Sequence, residues 1–554
     1  MMSLLFIVSA LVAVIVSQAS VIEEYNLALD NALFNPEEYI CSICIDIIRQ
    51  VSHGHATYDE MCDHYHACKI FDESFAQDVV AGKETSKDCE GHYRSTCEDR
   101  GYCMKGEYKK WRNSAESNDL AASSSLNLRV AKAYGARGRD KIRISVISNH
   151  TISNSLFTYS KPFQYRWTQF YLNTGVVSVT AGVVNQYNID GQAVKVYVPK
   201  DDEGTRGVII ADPCFQSQWV TCKYQTTFDT LNRMTALLNA VNSHDDSHYW
   251  MILGDNFYDQ TGYATDAWFA KLSLATKSKI IGSVAGNHDY WVHGSPSAYV
   301  PKVDQVGNGF MQYYGQDSAA SFKNDAAHDA TPFDFSVNPD TNAASTSPEV
   351  DSSVSSSSYA NKIGRDALTS LAALHNFFHY NRIGNVAFVG FSGAYQFSDT
   401  QKYFEEACSW AANEKTPLSA VVLVGHWNTP GDGCEGGLSV PSAYQKLLTL
   451  NACKPIASKL RYFEGHTHCN KVVLSNVGYM VAGQGMSGCV NFGFPVIDST
   501  VNGAVNVYYF PIAQEQDGKI VYDNYDSVLS CISQNSVSKC YHLAQLWTTT
   551  AIIA

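Results

Sequence analysis

Seven side chains in five short motifs have the types and order of a metal-ligand set. They are Asp212 in IIADPC, Asp255 and Tyr258 in GDNFY, Asn287 in GNHD, His426 in VGH, and His466 and His468 in GHTH. Carboxylate and amide oxygens suit hard cations, whereas imidazole nitrogens suit zinc, iron and similar transition metals. The mixture argues against calcium. Seven donors are enough for two ions that share one carboxylate, and a two-metal centre implies hydrolysis of a phosphate ester. His288 and Asp289 complete the GNHD motif. His288 is the candidate to bind phosphate or protonate a leaving group, and Asp289 the candidate to orient it.

The motifs close apolar stretches. RGVIIADPC, YWMILGDN, KIIGSVAGN, AVVLVGHW and RYFEGH each run from apolar residues into a polar or Gly-rich end, as do VAFVGFSG and GYMVAGQG. Near-continuous apolar strands belong to sheets buried on both faces. Helical stretches such as TTFDTLNRMTALLNAV and QKYFEEACSW lie between them. The expectation is an α/β fold carrying its ligands at strand ends, where open α/β sheets bind them. Upstream, 109–205 reads as a Ser-rich linker followed by a β-rich segment that includes KIRISVIS and QAVKVYVPK. Residues 323–360 form a low-complexity insertion, and 514–554 a C-terminal extension.

The chain has 554 residues, room for two or more domains. Its net charge of -14 argues against nucleic acid as a partner, because phosphates would be repelled. Leu4–Val16 form an apolar run too short to span a bilayer comfortably, followed by Ser17, Ala19 and Ser20. This reads as a secretory signal peptide over 1–20. No later stretch is apolar enough to span. The 16 cysteines and the sequon Asn149-His150-Thr151 fit an exported glycoprotein, secreted or in a lysosomal or vacuolar lumen.

Residues 37–108 hold seven cysteines, with CxxC at Cys41 and Cys44, then Cys62, Cys68, Cys89, Cys97 and Cys103. Such a small unit needs disulfide staples to stand. The pattern resembles a saposin-like domain, a small all-α bundle with three disulfides that binds lipids or presents them to an enzyme. The resemblance implies the pairs Cys41–Cys103, Cys44–Cys97 and Cys62–Cys68, and contact with a lipid or membrane surface. Cys89 and the histidines between 53 and 66 depart from that pattern. A helical spacer without lipid function and a zinc site are the alternatives.

Over 206–513 the ordered set GDNFY, GNHD, VGH and GHTH resembles the calcineurin-like metallophosphoesterases, and within them the purple, tartrate-resistant acid phosphatases. The fold implied is a β-sandwich of two mixed sheets flanked by helices. Much of the superfamily uses Asp-x-His as its first motif, and here the His position is Cys214. Purple phosphatases lack that His and use a Tyr three residues after the second Asp, which is Tyr258 here. The resemblance implies Fe(III) held by Asp212, Asp255, Tyr258 and His468. It implies a divalent Fe, Zn or Mn held by Asp255, Asn287, His426 and His466. The activity implied is hydrolysis of small phosphate monoesters by a metal-bound hydroxide. The family usually has a further His after His426, and WNTPGDGCEGGLSV has none, so acid catalysis falls to His288 or the enzyme prefers good leaving groups. An acid sphingomyelinase-like phosphodiesterase, with two Zn ions, is the alternative enzyme. A lipid-binding protein with a decayed metal site is the alternative without catalysis.

Overall fold

The computed structural model describes residues 126–165, 168–214, 228–256, 262–286, 289, 308–319, 377–428, 438–483, 489, 491–500, 504–516 and 519–550, short pieces at 337–338 and 343–344, and, before 126, residues 44, 47, 48, 51, 57–59, 73–80 and 97. The chain divides into two compact units, Met1–Asn118 with Gln216–Lys223, and Asp119–Phe215 with Tyr224–Ala554.

Within the first unit, helix α1 spans Glu73–Val80 and buries Phe75 and Val79. Cys44, Ile47, Ile48 and Val51 are helical, in line with apolar spacing of three and four. Cys44 is bonded to Cys97, the middle pair expected of a saposin-like unit. The pairs Cys41–Cys103 and Cys62–Cys68 lie outside the described residues.

The second unit is mixed α/β. Its strands are β1 (Asn127–Lys132), β2 (Lys141–Ser148), β3 (Tyr159–Tyr165), β4 (Thr168–Ser178), β5 (Val184–Ile189), β6 (Gln192–Tyr197), β7 (Arg206–Ile210), β8 (Tyr249–Leu253) and β9 (Ile280–Val284). They continue as β10 (His379–Ile383), β11 (Val386–Gly390), β12 (Ala420–Val424), β13 (Leu460–Glu464), β14 (Lys471–Leu474), β15 (Gly478–Met480), β16 (Asn491–Asp498), β17 (Val505–Gln516), β18 (Lys519–Asp523) and β19 (Gln545–Thr550). One sheet runs β18-β17-β16-β7-β8-β9-β1-β2-β4-β3, with β19 also paired to β17. The other runs β10-β11-β12-β13-β15-β14. β7, β8 and β9 are mutually parallel, as are β11, β12, β13 and β15.

Alternation along the strands explains their unbroken apolar runs. Val422 and Val424 of β12 join Ile209 of β7, Met251 of β8 and Phe463 of β13 in one buried cluster between the sheets. Val421 and Leu423 point the other way. They pack with Phe404, Ala407 and Ala411 of helix α3 (Phe397–Ala412) and with Val440 and Leu447 of helix α4 (Val440–Thr449). On the large sheet, Val208 and Ile210 face Met234, Leu237 and Val241 of helix α2 (Thr230–Asn242). The result is two sheets face to face with helices outside.

Segments read from sequence as linker and extension join the large sheet. β1 runs parallel to β9 through the pair Val130↔Ile280 and brings β2, β4 and β3 with it. At the other edge, β18 and β19 both pair with β17. Their apolar positions gain a sheet edge to extend, which a reading of local patterns does not reveal.

Candidate metal centre

The described ligand candidates stand on turns at the C-terminal ends of parallel strands from both sheets. Asp212 follows β7, Asp255 follows β8, His426 follows β12, and His466 and His468 follow β13. The turns are tied to one another. Asp212 N donates to the Gly254 carbonyl at 3.1 Å, and Gly465 N to the His426 carbonyl at 2.9 Å. His466 N donates to Asp212 Oδ2 at 3.0 Å, which joins the two sheets at the site. The His426 ring crosses the same gap, with Nδ1 2.8 Å from the Leu253 carbonyl oxygen. A carbonyl only accepts, so Nδ1 carries the proton and Nε2 faces Asp255 Oδ2 at 3.3 Å.

The donor atoms form two groups, Asp255 with His426 and His466, and Asp212 with Asp255 and His468. Asp255 belongs to both. His466 Nδ1 is 3.2 Å from His426 Nε2, and His468 Nε2 is 3.6 Å from Asp212 Oδ1. Bonds of about 2.1 Å to one ion separate adjacent donor atoms by about 3.0–3.4 Å; the first spacing falls in that range and the second lies slightly above it. Asp212, Asp255 and His426 are fully buried, while His466 and His468 are partly exposed and mark the open side.

Electrostatics fit the same use. Burial pushes the Asp212 carboxyl above its ordinary range, and the Asp255 carboxylate pushes it the same way, against the pull of His426 and His466. Burial pulls His426 down, but Asp255 and Asp212 outweigh it and leave the imidazole raised. Two adjacent buried carboxylates without a cation are unfavourable, and a metal ion relieves both terms. The donor set therefore fits transition-metal ions.

Four of the five described candidates have left-handed backbones: Asp212 (φ 49°), Asp255 (φ 49°), His466 (φ 75°) and His468 (φ 58°). Such conformations cost about 1–2 kcal/mol each for residues other than Gly, and persist where surrounding structure enforces them. Neighbouring glycines make the approach of the turns feasible. Gly254 has φ 85°, and a Cβ there would lie 2.5 Å from His426 Nδ1.

Asp289 is buried and bonded to the turns that carry the ligands. Its carboxylate accepts N–H groups from Gly286 (2.7 Å) and Asn256 (3.0 Å), and the Asn256 side-chain Nδ2 (2.7 Å). It thereby joins the GDN and GNHD turns. Asn256, Asn428 and Thr467 are positioning residues that the motif reading passed over. Ser283 Oγ donates to Asn256 Oδ1 at 3.2 Å, and the Asn428 side chain donates to the Thr467 hydroxyl, bridging the turns of His426 and His468. The signal available was their place inside the motifs, GDN, HWN and GHTH. Tyr258, Asn287 and His288 lie outside the described residues. Cys214 is disulfide-bonded, so it is not a free thiolate ligand.

No protein-family model matches the chain, and no curated protein sequence does. Among solved structures it is similar to a purple acid phosphatase from yellow lupin seeds, at 11% identity over 72% of this chain and 73% of that one, with a TM-score of 0.41. It is similar to GAP50, the anchor in the inner membrane complex of Plasmodium, at 14% identity over 58% and 87%, with a TM-score of 0.28. A 5'-nucleotidase from Staphylococcus aureus has 11% identity over 60% and 58%, with a TM-score of 0.30. Scores this low carry no functional weight; the ligand geometry does.

Proposed function

We propose that this chain is a metal-dependent phosphoric ester hydrolase that acts on phosphate monoesters, in the manner of an acid phosphatase. The observation that carries the reading is Asp255, whose carboxylate is common to both ligand groups. Two bound ions would supply Lewis acidity toward phosphoryl oxygens and an activated water at moderate pH. Asp212 and Asp255 supply the buried negative charge that retains them. The Leu253 carbonyl holds His426 in the tautomer that presents Nε2. His466 and His468 close the centre on its exposed side, where a small phosphorylated substrate enters. His288 is assigned the proton for the leaving group, and Asp289 orients it through the turn that it ties.

The metals proposed are Fe(III), with Tyr258 completing the Asp212, Asp255 and His468 group, and a divalent Fe, Zn or Mn completed by Asn287. A phenolate on Fe(III) colours the protein. The disulfides among the described residues fit an exported chain, and no described helix is long and apolar enough to cross a membrane. Asn149 and Thr151 are exposed after β2 and are proposed to carry a glycan as a sequon.

The second reading is a sphingomyelinase-like phosphodiesterase with two zinc ions, favoured by the Cys44–Cys97 pair of a saposin-like unit. One experiment separates them: metal content, visible spectrum and turnover of purified protein on an aryl phosphate and on sphingomyelin. A purple or pink protein active on the aryl phosphate supports the first reading. A colourless zinc protein active on sphingomyelin supports the second. Fewer than about one ion per chain with no turnover overturns both and leaves a lipid-binding protein.

A further inference from the structure

We propose that the Cys469–Cys489 disulfide positions His468, so that its reduction releases the ion held through His468 while the ion held through His426 stays. The proposal rests on the metal-centre reading above. His466 and His468 sit in one turn with two left-handed backbones, a conformation that other contacts must hold; between them Thr467 N donates to the Gly465 carbonyl at 3.0 Å and the Thr467 hydroxyl accepts from Asn428.

Upstream the turn is well held. Val481 N donates to the Glu464 carbonyl at 2.9 Å, and Gly465 and His466 donate to His426 and Asp212. Downstream of His468 the chain is held differently. Cys469 is bonded to Cys489 across 20 residues. Asn470 Oδ1 accepts Ala482 N at 3.0 Å, while Asn470 and Asn491 exchange side-chain amide to carbonyl bonds at 3.3 and 3.2 Å. Neutral amide bonds of this kind contribute about 1 kcal/mol each and exchange with water. The covalent link is the one restraint in this group that does not. His468 is the adjacent residue, with its side chain 25% exposed. His426, by contrast, is fully buried and has its ring fixed by Leu253.

The redox step balances with a phosphine. The S–S bond breaks, two S–H bonds form with protons from water, and the phosphine is oxidised to its oxide. One consequence is that the His468 half of the centre fills only after the chain has been oxidised. A chain kept in a reducing compartment would hold one ion.

The test uses the full chain, reloaded with Zn(II), passed through gel filtration and assayed for zinc. Cys469→Ser/Cys489→Ser is compared with Cys531→Ser/Cys540→Ser, which removes the disulfide between the helix Tyr525–Gln534 and the 3-10 helix Val537–Leu543. The expected result is two ions per chain in the untreated protein and in the second variant, and one in the first. Should the first variant not fold, the folded wild-type chain is reduced with the phosphine, alkylated with iodoacetamide and reloaded, with the same expectation. Two ions retained after loss of the Cys469–Cys489 bond, or loss of both, overturns the proposal. Absence of zinc from the untreated protein overturns the metal-centre reading itself.

Discussion

Gly286 approaches Asp255 so closely that no side chain fits at position 286 without a shift. A Cβ on Gly286 would lie 2.2 Å from Asp255 Oδ1 and 2.4 Å from Asp255 N. The backbone of the GNHD turn therefore serves as the wall against which the shared carboxylate rests. Gly286→Ala is expected to push Asp255 out of both ligand groups. Overpacking of this kind costs about 1–3 kcal/mol. Metal analysis of the variant should give less than one ion per chain, and two retained ions would refute the relationship.

Asp255 is common to both ligand groups, whereas His426 belongs to one. Asp255→Asn, which keeps the shape and removes the charge, should lower occupancy of both ions. His426→Ala should lower occupancy mainly of one. Equal losses from the two variants would mean that the carboxylate does not bridge.

Asp289 accepts three N–H groups inside the fold. Removing the acceptor leaves buried donors unpaired, at about 1–3 kcal/mol for each group that water does not reach. Asp289→Ala should therefore lower the melting temperature by several degrees, the shift per kcal/mol being below the roughly 2–4 °C of a 150–250-residue domain because this unit is larger. Turnover should fall with it. If Asp289 served only to orient His288, turnover would fall at an unchanged melting temperature.

His248 sets an acid-side weakness at the opposite end of β8 from Asp255. Its Nδ1 accepts the Arg206 backbone N–H at 3.1 Å, which leaves the proton on Nε2. Burial, then Lys279 and Arg206, push the imidazole down to about 3 from its ordinary 6.5. The unfolded chain thus binds a proton below pH 6.5 that the folded chain refuses until about pH 3. His248 contributes no pH dependence above 6.5, and below it stability falls by about 1.4 kcal/mol per pH unit. Urea unfolding between pH 6 and pH 4 should show this slope reduced by about one proton in His248→Asn. An unchanged slope would assign the acid weakness to other groups.

The strands were legible in the sequence. Strands buried on both faces must be apolar at every position, so β7, β8, β9, β12 and β13 stand out as runs ending in polar turns. The order of those turns, matched to a family pattern, also suggested Asp255 as the shared ligand. Local pattern did not reveal that β1 to β4 and β18 and β19 extend the large sheet, because strand pairing is a choice among distant partners. Nor did it show that Asp289 ties two turns together, since a carboxylate reads the same whether it faces substrate or backbone N–H groups.

The sequence by itself determined which residue types are available at strand ends, because apolar periodicity and motif spacing are local properties. Only the tertiary structure decided which of them meet. His426 and Leu253 are 173 residues apart, and their contact exists because two sheets pack face to face. The left-handed backbones of Asp212, Asp255, His466 and His468 have the same origin. Short-range preference disfavours them, and the bonds between turns hold them in place.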